Sequence, residues 1–195
     1  EKQIYKCFGC GTGGGVINFI MEIETLNFID AIEKLAQRYN IKIESTKADI
    51  RSRNLKDQLI EINQISAEYY HNQLFDEKNK KILDYLKNRD FNEETIKLFN
   101  LGFSDKNSSQ LLKFLQKKKF SSDAMKQSGL FINGDKGYFD RFYSRLIFPI
   151  SDMNSNVIAF AGRSLDKSNQ AKYINSIETP LYNKSKVFYG LDLVK

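Results

Sequence analysis

The sequence has little of what metal sites and membrane spans usually need. It contains two cysteines and one histidine, too few to complete a tetrahedral zinc site from thiolate and imidazole ligands. No run approaches the roughly 18 consecutive apolar residues of a membrane helix, and residues 1–3 lack the apolar stretch of a secretory signal. We therefore expect a cytoplasmic protein with no membrane partner. Because the chain begins with Glu rather than Met, we also expect it to be part of a longer protein.

The sequence does contain enough apolar residues to fold, and its positive charge is unevenly placed. Hydrophobic residues make up 41% of the chain and aromatic residues 13%, which argues against global disorder. The net charge is −1 over residues 1–75 and +7 over residues 76–195. Such a surplus lowers the cost of approaching phosphates, but it also occurs in lysine-rich proteins that bind no polyanion. Charge alone leaves nucleic-acid binding open.

Changes in composition predict three parts, and together they indicate an α+β protein. Residues 1–43 contain a short strand, a glycine-rich segment and two short helices, the second with Asn27 as its N-cap. Residues 44–53 are polar and charged, which predicts a linker. Residues 54–195 begin with a long amphipathic helix from Leu55 and shorter helical patterns. Three strand patterns follow, at 138–142, 146–150 and 157–161, so we expect a helical layer packed with a mixed or antiparallel sheet.

The pair Cys7 and Cys10 has the spacing at which two thiolates on one turn bind a single zinc ion. Three interpretations remain open: zinc with further ligands upstream, a redox pair, or an incidental pair. A redox pair of this spacing is normally followed directly by a helix, whereas four glycines lie within the five positions after Cys10. The sequence therefore favours zinc.

Two other features predict no functional site. The glycine-rich segment 11–15 lacks the Gly-Lys-Ser/Thr ending of a phosphate-binding loop, so we expect a tight turn there. The single histidine, His71, lies in a helical pattern with no second candidate ligand near it, which favours a structural role.

Blocks along the chain resemble one family, the bacterial DnaG-type DNA primases. The blocks lie at residues 5–14 (YKCFGCGTGG), 17–22, 85–89 (YLKNR), 99–103 (FNLGF), 140–150 (DRFYSRLIFPI), 157–163 (VIAFAGR), 172–176 (KYINS), 178–179 and 188–191 (FYGL). They occur in the order of the family and span nearly the whole chain. The resemblance covers the end of a zinc ribbon and the amino-terminal part of an RNA polymerase core.

The resemblance implies which residues bind and which are lacking. An upstream Cys and His would complete the Zn²⁺ site of Cys7 and Cys10. The expected nucleic-acid or nucleotide contacts are Arg89, Arg141, Arg145, Arg163, Lys172 and Lys184, with Arg163 and Lys172 nearest to the substrate. The small residues Ala161 and Gly162 are expected to let a polyanion approach Arg163. Tyr143 stands where the family often has another Arg. The acidic ligands for catalytic Mg²⁺ or Mn²⁺, in the TOPRIM motifs, would follow Lys195, so no catalytic residue is assigned and the piece alone is expected to be inactive.

Two functions of different classes follow. The first is a DNA primase, a DNA-directed RNA polymerase of the primosome that makes short RNA primers in DNA replication. Its partners would be a single-stranded DNA template, the RNA primer, nucleoside triphosphates and, through a part not present, the replicative helicase. The alternative is a non-catalytic zinc-ribbon module that binds single-stranded nucleic acid through basic and aromatic residues.

Overall fold

A computed structural model describes most of the chain. The described residues are 3–24, 26, 28–41, 47–118, 120–134, 137–166 and 171–193. The chain divides into two compact units, Glu1–Ile50 and Arg51–Lys195. Within the described ranges no helix is both long and apolar enough to cross a membrane.

The first unit contains a small two-stranded sheet and two helices. Its elements are β1 (Tyr5–Lys6), β2 (Gly13–Gly14), α1 (Val16–Ile23) and α2 (Phe28–Arg38). The two strands pair antiparallel, with Tyr5 opposite Gly14. A Cβ atom on Gly13 would lie 2.8 Å from the carbonyl oxygen of Tyr5, so a glycine is needed where the strands meet. The Tyr5 ring packs edge-on against Phe19 of α1, with 5.1 Å between centroids. The predicted N-cap, Asn27, lies outside the described residues.

Helix α3 (Lys47–Phe75) begins inside the segment that the sequence predicts to be a linker. Residues 42–46 lie outside the described residues, and the chain is helical from Lys47 on. Polar residues occur in exposed helices as well as in linkers, so composition did not separate the two. The division between the units lies at Ile50 and Arg51. The domain bounds 1–43, 44–53 and 54–195 stay a prediction.

The second unit combines helices with an antiparallel sheet. After α3 come a 3-10 turn (Glu77–Asn79), α4 (Lys80–Lys87), α5 (Glu93–Leu98), β3 (Gly102–Ser104), α6 (Gln110–Gln116), α7 (Ser122–Gln127), β4 (Phe131–Gly134), β5 (Gly137–Asp140), β6 (Arg145–Ser151), β7 (Val157–Ser164), β8 (Tyr173–Asn175) and a 3-10 turn (Leu191–Leu193). Strands β4 and β5 form a hairpin, and the other four form a sheet in the order β3-β6-β7-β8. All pairs are antiparallel, which confirms the predicted α+β class.

The four-stranded sheet buries different side chains on its two faces. On one face Tyr70 of α3 packs edge-on against Phe160 of β7, with 5.7 Å between ring centroids. We call this the α3 face; its cluster includes Leu111, Met125, Phe131, Phe142 and Ile147. On the other face, which we call the α4 face, Phe103 and Leu146 are opposite each other in the sheet and share a cluster with Leu86 and Ile96 of α4 and α5. Helices therefore cover both faces.

Asp140, at the end of β5, is the main polar contact of the α3 face. Its carboxylate accepts hydrogen bonds from the Tyr70 hydroxyl at 3.0 Å, from Ser104 Oγ at 2.6 Å and from the Phe142 N–H at 2.7 Å. Burial raises the pKa of Asp140 to about 6, although these donors lower it. This one carboxylate links α3, β3 and the turn before β6.

The helices and strands that were not predicted from the sequence are short. Helix α7 has six residues and is too short to show helical periodicity; the Ser121 hydroxyl caps it by accepting from the Ala124 N–H at 3.1 Å. Strand β3 has three residues. The predicted structural role of His71 is confirmed, because its Nδ1 lies 2.8 Å from the carbonyl oxygen of Leu101.

Candidate nucleic-acid interface

Arg163 lies between two aromatic rings on the α4 face of the sheet. In the register of the sheet it is opposite Leu146 of β6 and Tyr173 of β8, and directly opposite residues share a face. Its guanidinium carbon is 5.7 Å from the centroid of the Tyr173 ring and 5.8 Å from that of Tyr85. Arg163 Nε is buried and has no hydrogen-bond partner among the described residues. A buried donor without a partner is rare, so the guanidinium retains hydrogen-bonding capacity for an acceptor.

Two more cations extend this arrangement in both directions. The Arg89 guanidinium carbon is 5.6 Å from the centroid of the Tyr85 ring, and Lys172 Nζ is 5.8 Å from that of Tyr173. Cations and aromatic rings thus alternate along one line of five residues. We call this line the cation–aromatic row; its order is Arg89, Tyr85, Arg163, Tyr173 and Lys172. Both outer cations are exposed, and 59% of Tyr173 is exposed.

Local sequence explains how α4 presents its half of the row. Tyr85 lies in the last turn of α4, and Arg89 directly follows the C-cap residue Asn88, whose N–H donates to the carbonyl oxygen of Asp84 at 2.9 Å. Leu86 of α4 is fully buried in the cluster on the α4 face, where Ile82 and Leu83 also pack. This apolar contact fixes α4 against the sheet, so the ring of Tyr85 is held beside Arg163.

Arg145 precedes Leu146, the residue opposite Arg163, and lies on the other face of the sheet. It is opposite Ser164, whereas its neighbour Leu146 is opposite Arg163, and side chains alternate along a strand. Only 6% of Arg145 is exposed. Its Nη1 donates to the carbonyl oxygen of Ala171 at 2.9 Å and lies 3.5 Å from that of Lys172. Burial lowers the pKa of Arg145. Its guanidinium holds the segment that leads into β8.

Arg141 and Lys184 also lie outside the row. The Arg141 side chain donates through Nε to the carbonyl oxygen of Asn175 in β8 at 3.1 Å. Lys184 is exposed, and its backbone N–H donates to the Glu178 carboxylate at 3.0 Å. Of the six cations predicted as phosphate contacts, the structure therefore brings Arg89, Arg163 and Lys172 together. A direct ligand contact by Arg141, Arg145 or Lys184 stays a prediction.

The reason predicted for Gly162 is wrong. A Cβ atom at this position would lie 2.7 Å from the Phe142 ring and 3.1 Å from Cδ of Arg145. The space beside the glycine is filled by the chain's own side chains on the α3 face, not kept for a polyanion. Ala161 lies two residues before Arg163 in the same strand and so shares its face.

The two tyrosines of the row had no predicted role. Tyr85 and Tyr173 fall within blocks that carry the family resemblance, but a ring in such a block is as often part of a core. The available signals were the closeness of Tyr85 and Arg89 within one short block and the adjacency of Lys172 and Tyr173. Neither signal shows that the two rings flank Arg163, because this depends on the register of β7 with β8 and on the packing of α4.

The two cysteines of the first unit lie on one tight turn. Both thiols are exposed, and the turn is closed by the Gly11 N–H, which donates to the Cys7 carbonyl oxygen at 2.9 Å. Cys10 Sγ and Thr12 Oγ1 are 3.3 Å apart. Hydrogen bonds with the Thr12 side chain and backbone lower the pKa of Cys10 to about 7, which favours the thiolate that binds zinc. Within the described residues no three His, Cys, Asp or Glu side chains form a metal-binding group, so the pair fits half of a tetrahedral shell.

Comparison with protein families matches both units. Residues 69–195 match the family model described as the DNA primase catalytic core, N-terminal domain. Residues 1–51 match the model described as the CHC2 zinc finger. The zinc-finger match ends at residue 51, beside the division between the two units at Ile50 and Arg51, and the catalytic-core match begins at residue 69 within the second unit.

Individual relatives agree with these matches. The chain is 38% identical to the DNA primase of Clostridium acetobutylicum over 98% of its own length and 32% of that protein. The structure of the Aquifex aeolicus primase, with its zinc-binding and RNA polymerase domains, has a TM-score of 0.64 and 28% identity, covering 98% of this chain and 45% of the other. A DnaG primase catalytic domain bound to single-stranded DNA has a TM-score of 0.67 and 28% identity, covering 72% of this chain and 44% of the other. The chain spans about a third of the length of the curated relatives it matches.

Proposed function

Because this chain belongs to the family of the DNA primase catalytic core, N-terminal domain, we propose that the whole protein is a DNA primase. It synthesises short RNA primers on single-stranded DNA during replication, and residues 1–195 supply binding surface for template, primer or nucleotide. The observation that carries this proposal is the cation–aromatic row. Cations beside stacking platforms are the combination that binds single-stranded nucleic acid.

Each part of the row has a distinct task in this proposal. Arg89 and Lys172 are exposed at its two ends and contact backbone phosphates, which sets affinity but not sequence preference. Tyr173, the more exposed ring, offers a face on which a base stacks. Arg163 is held in place by rings on two sides and donates to a phosphate close to the sheet, where lower exposure strengthens a charge-assisted hydrogen bond.

Two metals belong to the proposal, with different roles. Zinc is structural, held by Cys7 and Cys10 with further ligands outside residues 3–193, and it stabilises the turn that contains them. Mg²⁺ or Mn²⁺ would neutralise charge at the transferred phosphoryl group. We assign no ligand for that ion to this chain. Its own basic residues hold and orient the phosphates.

The remaining partners follow from primer synthesis. Nucleoside triphosphates are the substrates, the RNA primer is the product, and a replicative helicase exposes the template. The proposal places the protein in the cytoplasm, together with the chromosome that it copies.

The proposal is tested by replacing Arg163 and Lys172 separately with Ala in the full-length protein. Loss of a charged contact to a phosphate in the transition state costs on the order of 2–4 kcal/mol, a loss of about thirtyfold to a thousandfold in primer synthesis. The thermal midpoint should change little, because partly exposed ion contacts contribute under about 1 kcal/mol to stability. Lys97→Ala, an exposed lysine of α5 outside the row, is the matched control.

Two results would contradict the proposal at different levels. Near-normal primer synthesis in both variants would remove the row from the active groove. Tight binding of single-stranded DNA by the full-length protein, with no primer made in the presence of Mg²⁺ or Mn²⁺ and nucleotides, would favour the non-catalytic binding module instead.

A further inference from the structure

A lysine-rich surface lies on the α3 face, away from the cation–aromatic row. Residues 106–138 contain seven lysines and two aspartates, a surplus of five positive charges in a chain whose net charge is +6. This segment forms α6, α7 and the β4–β5 hairpin. Its buried side chains, Leu111, Met125 and Phe131 among them, pack with Phe160 on the α3 face. The described lysines of this segment are therefore on a surface that the proposed template groove does not use.

Three lysines of this surface have no carboxylate partner among the described residues. Lys113, Lys117 and Lys126 are exposed, and none of them takes part in the ion pairs found within the described residues. The nearby carboxylate of Asp123 accepts a hydrogen bond from Gln127 Nε2 at 2.9 Å. Unpaired like charges on one surface raise its potential and favour an acidic partner.

A mainly apolar crevice lies beside these lysines: Lys126 lines it, and Lys113 and Lys117 directly follow the lining residues Leu112 and Gln116 in the sequence. It has a volume of about 140 Å³, and its lining includes Leu112, Met125, Phe131, Tyr138, Ser122 and Lys126. An apolar cavity of about 150 Å³ accepts a group the size of benzene, so one large apolar side chain would fit. Methionine at such a position adapts to the shape of the group that enters.

We propose that the crevice and its lysines form a docking site for a short acidic peptide segment of another protein. One bulky apolar side chain of the peptide enters the crevice, and carboxylates on both sides of it contact Lys117, Lys126 and Lys113. This site goes beyond primer synthesis and is independent of the row. It provides the protein with a second surface for recruitment.

The observations favour an acidic peptide over nucleic acid at this surface. The described lining offers Tyr138 as its one exposed ring, whereas binding of single strands uses successive aromatic platforms. Residues 106–138 contain no arginine, the residue whose planar guanidinium matches phosphate in a bidentate way. The polar edge of a base would also lose hydrogen bonds inside an apolar crevice.

The test uses the full-length protein and labelled octapeptides of Asp and Gly with one central Leu, read by fluorescence anisotropy. The control peptide carries Ser in place of Leu and has the same charge. Burial of the Leu side chain should make the Leu peptide bind at least about tenfold tighter. Equal affinities for the two peptides would overturn the proposal, because they would show attraction by charge alone.

Variants locate the site. Lys117→Glu together with Lys126→Glu changes two exposed residues, so folding should be retained, and it should weaken the Leu peptide at least about tenfold. The control pair, Lys97→Glu with Lys186→Glu, changes the net charge equally and should alter binding less than about twofold. Ser122→Phe, which places a ring at the crevice, should remove the preference for Leu over Ser.

Two further measurements separate this surface from the row. Arg163→Ala should leave peptide affinity unchanged while it weakens binding of oligothymidylate. If Lys117→Glu with Lys126→Glu instead weakens oligothymidylate and the wild-type protein does not bind the Leu peptide, the surface binds nucleic acid and the proposal fails.

Discussion

The two faces of the four-stranded sheet use the same type of residue for opposite purposes. On the α3 face Arg145 is almost fully buried and donates to main-chain carbonyls at the start of β8. On the α4 face Arg163 lies between two rings and has a buried nitrogen without a hydrogen-bond partner in the described part of the chain. Arg145 therefore contributes to the structure through its hydrogen bonds, whereas the ligand contact proposed for Arg163 has no competing side-chain acceptor among those residues.

The comparison of Arg145 with Arg163 shows that a basic residue in the sequence indicates a binding site only when the hydrogen bonds of its side chain are known. Arg145 and Arg163 lie on neighbouring strands, one register position apart. A mutation that removes Arg145 should also disturb the Lys172 position, because its guanidinium contacts the carbonyls of Ala171 and Lys172. Loss of primer synthesis alone would not distinguish Arg145 from Arg163, but the free energy of unfolding of the two variants would.

The largest expected contrast comes from Asp140, a buried carboxyl group on the α3 face. Burial raises its pKa from 3.8 to about 6, so the folded protein binds this proton more tightly than the unfolded chain does. The free energy of unfolding should therefore decrease as pH rises from about 4 to about 6, and it should stay at the lower value above that range. A shift of about two pKa units corresponds to about 3 kcal/mol.

Denaturant unfolding from pH 4 to pH 7 checks this, with Asp140→Asn compared with the wild-type protein. The free energy of unfolding of Asp140→Asn should not show the decrease with rising pH that is expected for the wild-type protein. Asp90→Asn changes an exposed carboxylate to the amide and should keep it. Parallel pH curves for wild-type protein and Asp140→Asn would show that Asp140 has an ordinary pKa.

A smaller contrast separates the two arginines. Arg145→Ala removes hydrogen bonds from a charged group and the packing of its stem beside Gly162, which should lower the free energy of unfolding by about 2–3 kcal/mol. Arg163→Ala removes two cation–ring contacts at a partly exposed site and should cost about 1 kcal/mol or less. Urea unfolding of both variants measures the difference, and equal losses would refute the distinction between the faces.

The smallest effect is expected from the rings of the row. Tyr173→Ala and Tyr85→Ala should each weaken oligothymidylate binding by about fivefold to tenfold, since stacking of a base contributes on the order of 1 kcal/mol or more. Tyr→Phe at either position keeps the ring face and should retain most of the affinity. If the Phe variant loses as much affinity for oligothymidylate as the Ala variant, the tyrosine hydroxyl makes the contact and the base does not stack on the ring.

The sequence predicted the periodic parts of this fold well. Four apolar residues at helical spacing, Val16, Phe19, Ile20 and Ile23, predicted α1, and the apolar runs of β6 and β7 were placed with errors only at their ends. The α+β class followed from these elements. The helical start of α3 was missed because the same polar residues suit a linker and an exposed helix.

The site could be predicted only in part. The resemblance identified Arg89, Arg163 and Lys172, which the structure brings together, and it gave the same role to Arg145. Which of two adjacent strand positions faces the core depends on cross-strand register, and periodicity within one strand does not contain this information. The rings of Tyr85 and Tyr173 were missed for the same reason.

The insertion between β3 and β6 affects how the sheet is assembled. Strands β6 and β7 are joined by a short turn, whereas β3 pairs with β6 across residues 105–144. Closing that loop costs conformational entropy before the pairing stabilises the chain, so we expect the β6–β7 hairpin to form early and β3 to join it late. Because each doubling of the length of a flexible loop costs only about 0.6 kcal/mol, we expect length changes to be tolerated in the exposed turns of the inserted segment, but not in the parts that pack on the α3 face, such as Leu111 and Phe131.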